Sequence, residues 1–220
     1  MNSVSTVIKE TALLAYEDVL TVILTSVIWS LPLLPGILVF NLPWSGLYLA
    51  FIAPLAFVPV ARFVHLTARH KRRRFCDFPH GLPRMLLSGA ALGAMAAAGY
   101  MILYASWWYY GRSGSLLYFC VAMLQTYLVL LSMVLLTYTV PVLVQTSVPL
   151  GLATRASFRL FFMRPGYTLL LWLQVLTVGA FLLVTTMGFL LLFGGLFALF
   201  LNVAAENLLN VHGMPQMEDQ

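Results

Sequence analysis

The chain has 220 residues, is 61% hydrophobic and only 9% charged, and carries a formal net charge of +5. So few charged side chains cannot coat a water-soluble globule, which excludes a soluble domain as the main body of the chain. The basic residues lie beside apolar runs rather than on a polar surface, so the expected partner is a lipid bilayer and not nucleic acid.

Val4, Val7, Ile8, Thr11 and Leu14 recur at helical spacing and predict a short amphipathic helix lying at the membrane interface. Glu10, Glu17 and Asp18 outnumber Lys9 there, and no small-residue cleavage site follows, so the segment does not read as a removable signal peptide. Glu17 and Asp18 stand where the first span opens, at the positive end of its helix; the alternative is that they receive Arg62 or a loop arginine.

The first span is predicted over residues 19–40, with Pro32 and Pro35 near its far end, where a break costs least. A turn at Asn41-Leu42-Pro43 leads to a second span over 44–66, in which Pro54 and Pro59 are candidate kink residues. Interrupted spans also frame substrate sites in transporters, so a ligand site there stays open beside plain packing.

A loop over 67–83 follows. It holds Arg69, Lys71, Arg72, Arg73 and Arg74, then Cys76, Phe78 and His80. Its basic residues serve as a stop-transfer signal and a contact for anionic lipid; with Phe78 they also form a candidate partner-docking surface. His65, His70 and His80 with Cys76 share no helical face and lack a completing ligand, so no metal or other cofactor is expected.

The third span, over 84–107, carries a run of small residues in which Gly89, Gly93 and Ala97 form a candidate packing face, toward another helix of the chain or toward a second copy in a homo-oligomer. The fourth covers 115–145, with Pro141 near its end. A second loop over 146–165 contains Arg155, Arg159 and Arg164 and closes at Pro165; it predicts a short helix without one clean apolar face, wedged between spans. The apolar stretch beyond it is twice as long as one span needs and divides near Thr185-Thr186-Met187-Gly188 into spans over 166–185 and 188–207. The expected fold is a single all-α polytopic helix bundle of about six spans.

Charge tests this count independently. If the N-terminus is cytoplasmic, 11 of the 12 lysines and arginines fall on that side and only Arg112 lies outside, an asymmetry that predicts cytoplasmic termini at both ends. Trp44, Tyr48 and Trp107-Trp108-Tyr109-Tyr110 mark the outer boundary with rings suited to the headgroup region. Cys76 and Cys120 then lie toward opposite sides and are expected to be free thiols.

Inside the spans the polar residues are Gln125, Gln174 and Asn202 with scattered Ser and Thr, and no ionisable side chain falls near the midplane. Asn202, Glu206 and Asn207 are expected to cap and hydrate the end of the last span. Neither a nucleophile–base set, nor HExxH, nor a phosphate-binding GxxxxGK[ST] is present, so no catalytic residue is expected and the chain reads as a non-enzyme.

The order of features is similar to one known family. Tyr16-Glu17-Asp18-Val19-Leu20 enters the first span, Trp29-Ser30-Leu31-Pro32-Leu33-Leu34-Pro35-Gly36 forms its outer half, and Ala53-Pro54-Leu55-Ala56 precedes the basic loop. Asp77-Phe78 and Ala153-Thr154-Arg155-Ala156-Ser157-Phe158 before Pro165-Gly166-Tyr167 complete the pattern, over residues 12–207. The chain resembles the YesL-type bacterial membrane protein family, although Ala53-Pro54 stands where that family has a Gly-Pro-Ala-type element. The resemblance implies a multi-pass protein of the bacterial cytoplasmic membrane linked to carbohydrate utilisation, with no catalytic residues to carry over. The expected function is an accessory component of a carbohydrate uptake system, with the two basic loops as contacts for a sugar transporter or its ATPase. The alternative is a permease subunit that itself engages an ATPase, although the Glu-Ala-Ala plus Gly coupling pattern is missing.

Overall fold

A computed structural model of the chain describes residues 4–69, 82–146, 148–185 and 188–211, which form helices and no strand. In chain order these are α1 (Val4–Glu17), α2 (Val19–Ser30), a 3-10 turn (Leu31–Leu33), α3 (Leu34–Leu38), α4 (Leu42–Arg69) and α5 (Leu82–Ser113). There follow α6 (Leu116–Leu135), α7 (Thr139–Thr146), α8 (Leu150–Met163), α9 (Pro165–Val184), a π-helical turn (Phe189–Phe193) and α10 (Gly194–Val211). Six stretches are long and apolar enough to cross a membrane: Val19–Leu38, Leu42–Ala68, Met85–Ser113, Leu116–Thr146, Pro165–Val184 and Phe189–Leu209. The chain is therefore an all-α polytopic bundle.

Proline chemistry sets the local breaks. Pro32 opens the 3-10 turn and Pro35 starts α3, positions where a missing N–H costs nothing because the first helical amides have no internal partner. α4, by contrast, runs without interruption through Pro54 and Pro59. The carbonyl that Pro59 leaves without its i+4 donor is that of Leu55, and α5 packs directly over it. At the other end of α5 the chain reverses through Gly114, whose φ of 60° is open to glycine without strain.

Two predicted elements differ from the structure. The helix expected to lie at the interface is instead a packed part of the bundle: Val7 is completely buried and Thr11 nearly so, against α10. The fourth span is not one helix, because α6 ends at Leu135 and α7 begins at Thr139. Pro141 fits this break without a lost bond, since its absent N–H would have bonded the carbonyl of Thr137, four residues back.

Burial is uneven. The core is centred on Phe57, Val58, Val60, Ala61 and Val64 of α4, Tyr138, Val142, Leu143 and Val144 at α7, and Ala198, Leu199, Leu201, Ala204, Ala205, Leu208 and Leu209 of α10, with Val7, Trp29, Leu160 and Leu171 packed into it. In the sixth span 56% of the residues of its most apolar window are buried, against 11% in the fourth, so α10 is the central helix and α6 a peripheral one.

Candidate functional site

α4, α7 and α10 meet around a small polar cluster in this core. Gln145 donates from Nε2 to the backbone carbonyl of Asn202 at 2.9 Å, and Asn202 donates from Nδ2 to the carbonyl of Ala61 at 3.0 Å. Both side chains are more than nine-tenths buried, and Gln145 Oε1 and Asn202 Oδ1 accept no hydrogen bond from the described residues. Thr139 Oγ1, on the same short helix as Gln145, is also buried without a partner among the described residues. Buried acceptors left unpaired cost about 1–3 kcal/mol each, so this cluster is not explained by stability alone. One turn beyond Ala61 lies His65, which is also buried.

This placement corrects the reading of Asn202 as a hydrated end cap: at 3% exposure it is a cross-helix clasp, because α10 continues to Val211 and keeps Asn202 well inside. Asn207, one of its predicted companions, donates to the Tyr167 hydroxyl at 3.4 Å, a long bond that ties α10 to the start of α9. Gln125, the second polar residue expected in the spans, accepts from Ser106 Oγ between α5 and α6. Trp107 Nε1 reinforces that hairpin by donating to Thr126 Oγ1 at 3.2 Å.

The break in the fourth span is bracketed by polar contacts. Ser157 of α8 donates to the Leu135 carbonyl at 2.6 Å, Trp172 of α9 donates to Thr137 Oγ1 at 2.6 Å, and Tyr138 shares a hydrogen bond with Thr168 at 3.0 Å. Irregular backbone at membrane depth persists only where protein supplies such partners, and discontinuous helices of this kind line sites in transporters. Sequence reasoning missed Gln145 because it falls at the edge of the predicted span. The signal that locates it is the proline four residues earlier, which marks the first turn of the short helix carrying it.

The other predicted residues separate into distinct places. Gly89 and Gly93 pack on α4: a Cβ at Gly89 would meet the Leu55 carbonyl oxygen at 2.9 Å, and one at Gly93 would overlap the carbonyl oxygen of Phe51. Ala97, two turns from Gly89 on the same helix, is half-buried. Pro54 is part of the same contact through its own carbonyl, while Pro59 lies within the buried stretch of α4. Arg69 ends α4, and Lys71, Arg72, Arg73, Arg74 and Phe78 fall outside the described residues, as do His70, Cys76 and His80.

α8 buries Ala153, Ser157, Leu160 and Phe161 at helical spacing but leaves Leu152, Phe158 and Phe162 exposed, so its apolar residues do not gather on one face, as its sequence predicts. Its opposite side exposes Arg155 and Arg159 interleaved with Leu152, Phe158 and Phe162, and Arg164 is exposed at its C-terminal end. On the predicted outer side, the Arg112 guanidinium lies 4.2 Å from the centre of the Trp108 ring, where a cation gains from the aromatic face. Among the described residues no group of three or more His, Cys, Asp or Glu side chains is placed to hold a metal ion.

The arrangement defines the class, a multi-pass helical protein with an internal polar clasp and a broken span. No protein-family model, curated protein or solved structure matches the chain.

Proposed function

We propose that this chain is a non-enzymatic accessory component of a carbohydrate uptake system in the bacterial cytoplasmic membrane, with both termini cytoplasmic. The observation that carries this reading is the exposed face of α8, on which Arg155 and Arg159 alternate with Leu152, Phe158 and Phe162. A stripe of cations among large apolar side chains suits a protein groove with acidic margins, and α8 is anchored from behind by its buried face. Together with the basic loop at Arg69, Lys71, Arg72, Arg73 and Arg74 it supplies a second cationic contact on the side that the charge asymmetry makes cytoplasmic. The carbohydrate link rests on the resemblance to the YesL-type family. Purification in mild detergent from cells grown on the relevant sugar tests the proposal: a permease or its ATPase co-purifies with the native chain and is lost with Arg155→Glu plus Arg159→Glu. Equal recovery with that double variant, or recovery of the chain alone, refutes it.

A second reading, a permease subunit, is favoured by the break at residues 136–138 and the clasp of Gln145 and Asn202 behind it. Sugar flux through liposomes holding this chain and an ATPase, with no other permease, would select that reading.

A further inference from the structure

Between α1, α9 and the start of α10 lies a partly open cavity of about 180 Å³. Ile8, Val178, Phe193 and Phe197 give it apolar walls, and only Thr11 and Gln174 bring polar groups to it. Thr11 is 7% exposed and its Oγ1 has no hydrogen-bond partner among the described residues. Among the described threonines only Thr139 Oγ1 shares that condition. Thr25, Thr67, Thr126, Thr146, Thr154 and Thr177 all donate to the carbonyl four residues back at 2.6–2.9 Å, the usual refuge for a helical hydroxyl in an apolar setting. Gln174, half-buried midway along α9, likewise bonds to none of the described residues. Two polar groups thus face one apolar cavity without partners of their own.

The walls narrow the occupant. Phe189, Phe193 and Phe197 stack along one side of the helix, with ring centres 4.5 and 5.6 Å apart and planes within 19° and 12° of parallel. Phe193 is stacked on both sides and the Phe57 ring centre lies 5.1 Å from that of Phe197, so Phe193 and Phe197 turn ring edges to the cavity, against which a flat ring packs. In volume the cavity compares with the roughly 150 Å³ apolar cavity that holds a benzene ring. Water is a poor occupant of the whole space, because one molecule bridging Thr11 and Gln174 would have only the minimum of two partners and leave most of this apolar lining unserved. A carboxylate is a poor one too, since neither Thr11 nor Gln174 carries a charge to offset its desolvation. A neutral ring with carbonyl oxygens meets these conditions: it packs on the phenylalanine edges and its oxygens accept from Thr11 Oγ1 and Gln174 Nε2.

We infer that this cavity binds the head of a membrane-soluble ring compound bearing carbonyl acceptors, of the prenylated quinone class, whose tail remains in the bilayer. The chain is titrated in nanodiscs with decylubiquinone, and binding is followed through saturable quenching of tryptophan fluorescence, because the Trp29 ring centre lies 5.9 Å from that of Phe193 on the cavity wall. Thr11→Val and Gln174→Leu should each weaken binding on the order of tenfold, the worth of one buried hydrogen bond. Val178→Trp, which fills the space, should abolish it. Thr11→Val should at the same time raise the melting temperature of the ligand-free protein, because it removes a buried hydroxyl without a partner. Non-saturable quenching, quenching equal in all variants, or displacement by an unsaturated phospholipid as readily as by a second quinone overturns the inference. So does a Thr11→Val protein that melts lower and binds unchanged, since the hydroxyl would then serve the fold.

Discussion

Replacing Gly195 by alanine sets two physical effects against each other, and the structure decides which wins. By helix propensity alone the change stabilises a helix by about 1 kcal/mol. At Gly195, however, an added Cβ would lie 2.5 Å from the Val22 carbonyl oxygen and 2.8 Å from Thr25 Oγ1, and both atoms belong to or are bonded to the α2 backbone. Ordinary contact begins near 3.4 Å, so α10 would have to retreat by about 0.9 Å in an interior packed too densely to absorb it. The retreat also stretches the bond that the Gly195 N–H donates to Ser26 Oγ at 2.7 Å. Overpacking costs about 1–3 kcal/mol and the hydrogen bond about 1 kcal/mol, which leaves a net loss of about 1–3 kcal/mol after the propensity gain. Thermal unfolding in detergent should show a fall of roughly 2–12 °C for a chain of this size. Gly111→Ala is the matched control, because no atom lies within 4 Å of the Cβ it would add, and it should leave the melting temperature unchanged or slightly raised. A Gly195→Ala protein as stable as Gly111→Ala refutes the close approach of α2 and α10.

Ser157→Ala removes the buried donor to the Leu135 carbonyl and should cost about 1–2 kcal/mol in the same unfolding assay, and Trp172→Phe, which keeps a ring but drops the bond to Thr137, about 1 kcal/mol. Topology is testable with single cysteines in a Cys120→Ser background: a membrane-impermeant maleimide should label Gly111→Cys (with Cys76→Ser) in intact cells, whereas native Cys76 alone should react only after permeabilisation. Labelling of both in intact cells contradicts the charge-based orientation.

The number of spans and their approximate positions were legible in the sequence because apolar runs about 20 residues long, separated by charges and prolines, respond to one strong physical demand: every backbone polar group must be satisfied within the bilayer. The packing of Gly89 and Gly93 follows from the same logic, since residues without bulk permit a close approach; that α4 rather than a second copy fills the face depends on tertiary contacts that a stripe of small residues does not encode. The clasp was less legible. Hydropathy treats Gln145 and Asn202 as two weak polar marks 57 positions apart, and only the folded path of α7 and α10 brings them together. α1 misleads for a related reason: its periodicity reports one apolar face but not whether lipid or α10 receives it.

The break in the fourth span raises the question of whether Pro141 or the surrounding side chains create it. A proline inside a helix costs about 3 kcal/mol or more through the lost bond and the clash with the carbonyl four residues back, but here that carbonyl belongs to Thr137, which already lies outside both α6 and α7. The penalty is thus largely avoided by the break. A straight helix regained through Pro141→Ala would have to give up the bonds from Ser157, Trp172 and Thr168, together about 3 kcal/mol. The two quantities offset, so Pro141→Ala alone should change stability by less than about 1 kcal/mol and leave the break in place. A gain near 3 kcal/mol would mean that the proline alone holds the span open, and that the hydrogen bonds around residues 136–138 follow the break instead of holding it. If they do hold it, α7 is a separately positioned half-helix, and the three residues that fix it also fix where Gln145 meets Asn202.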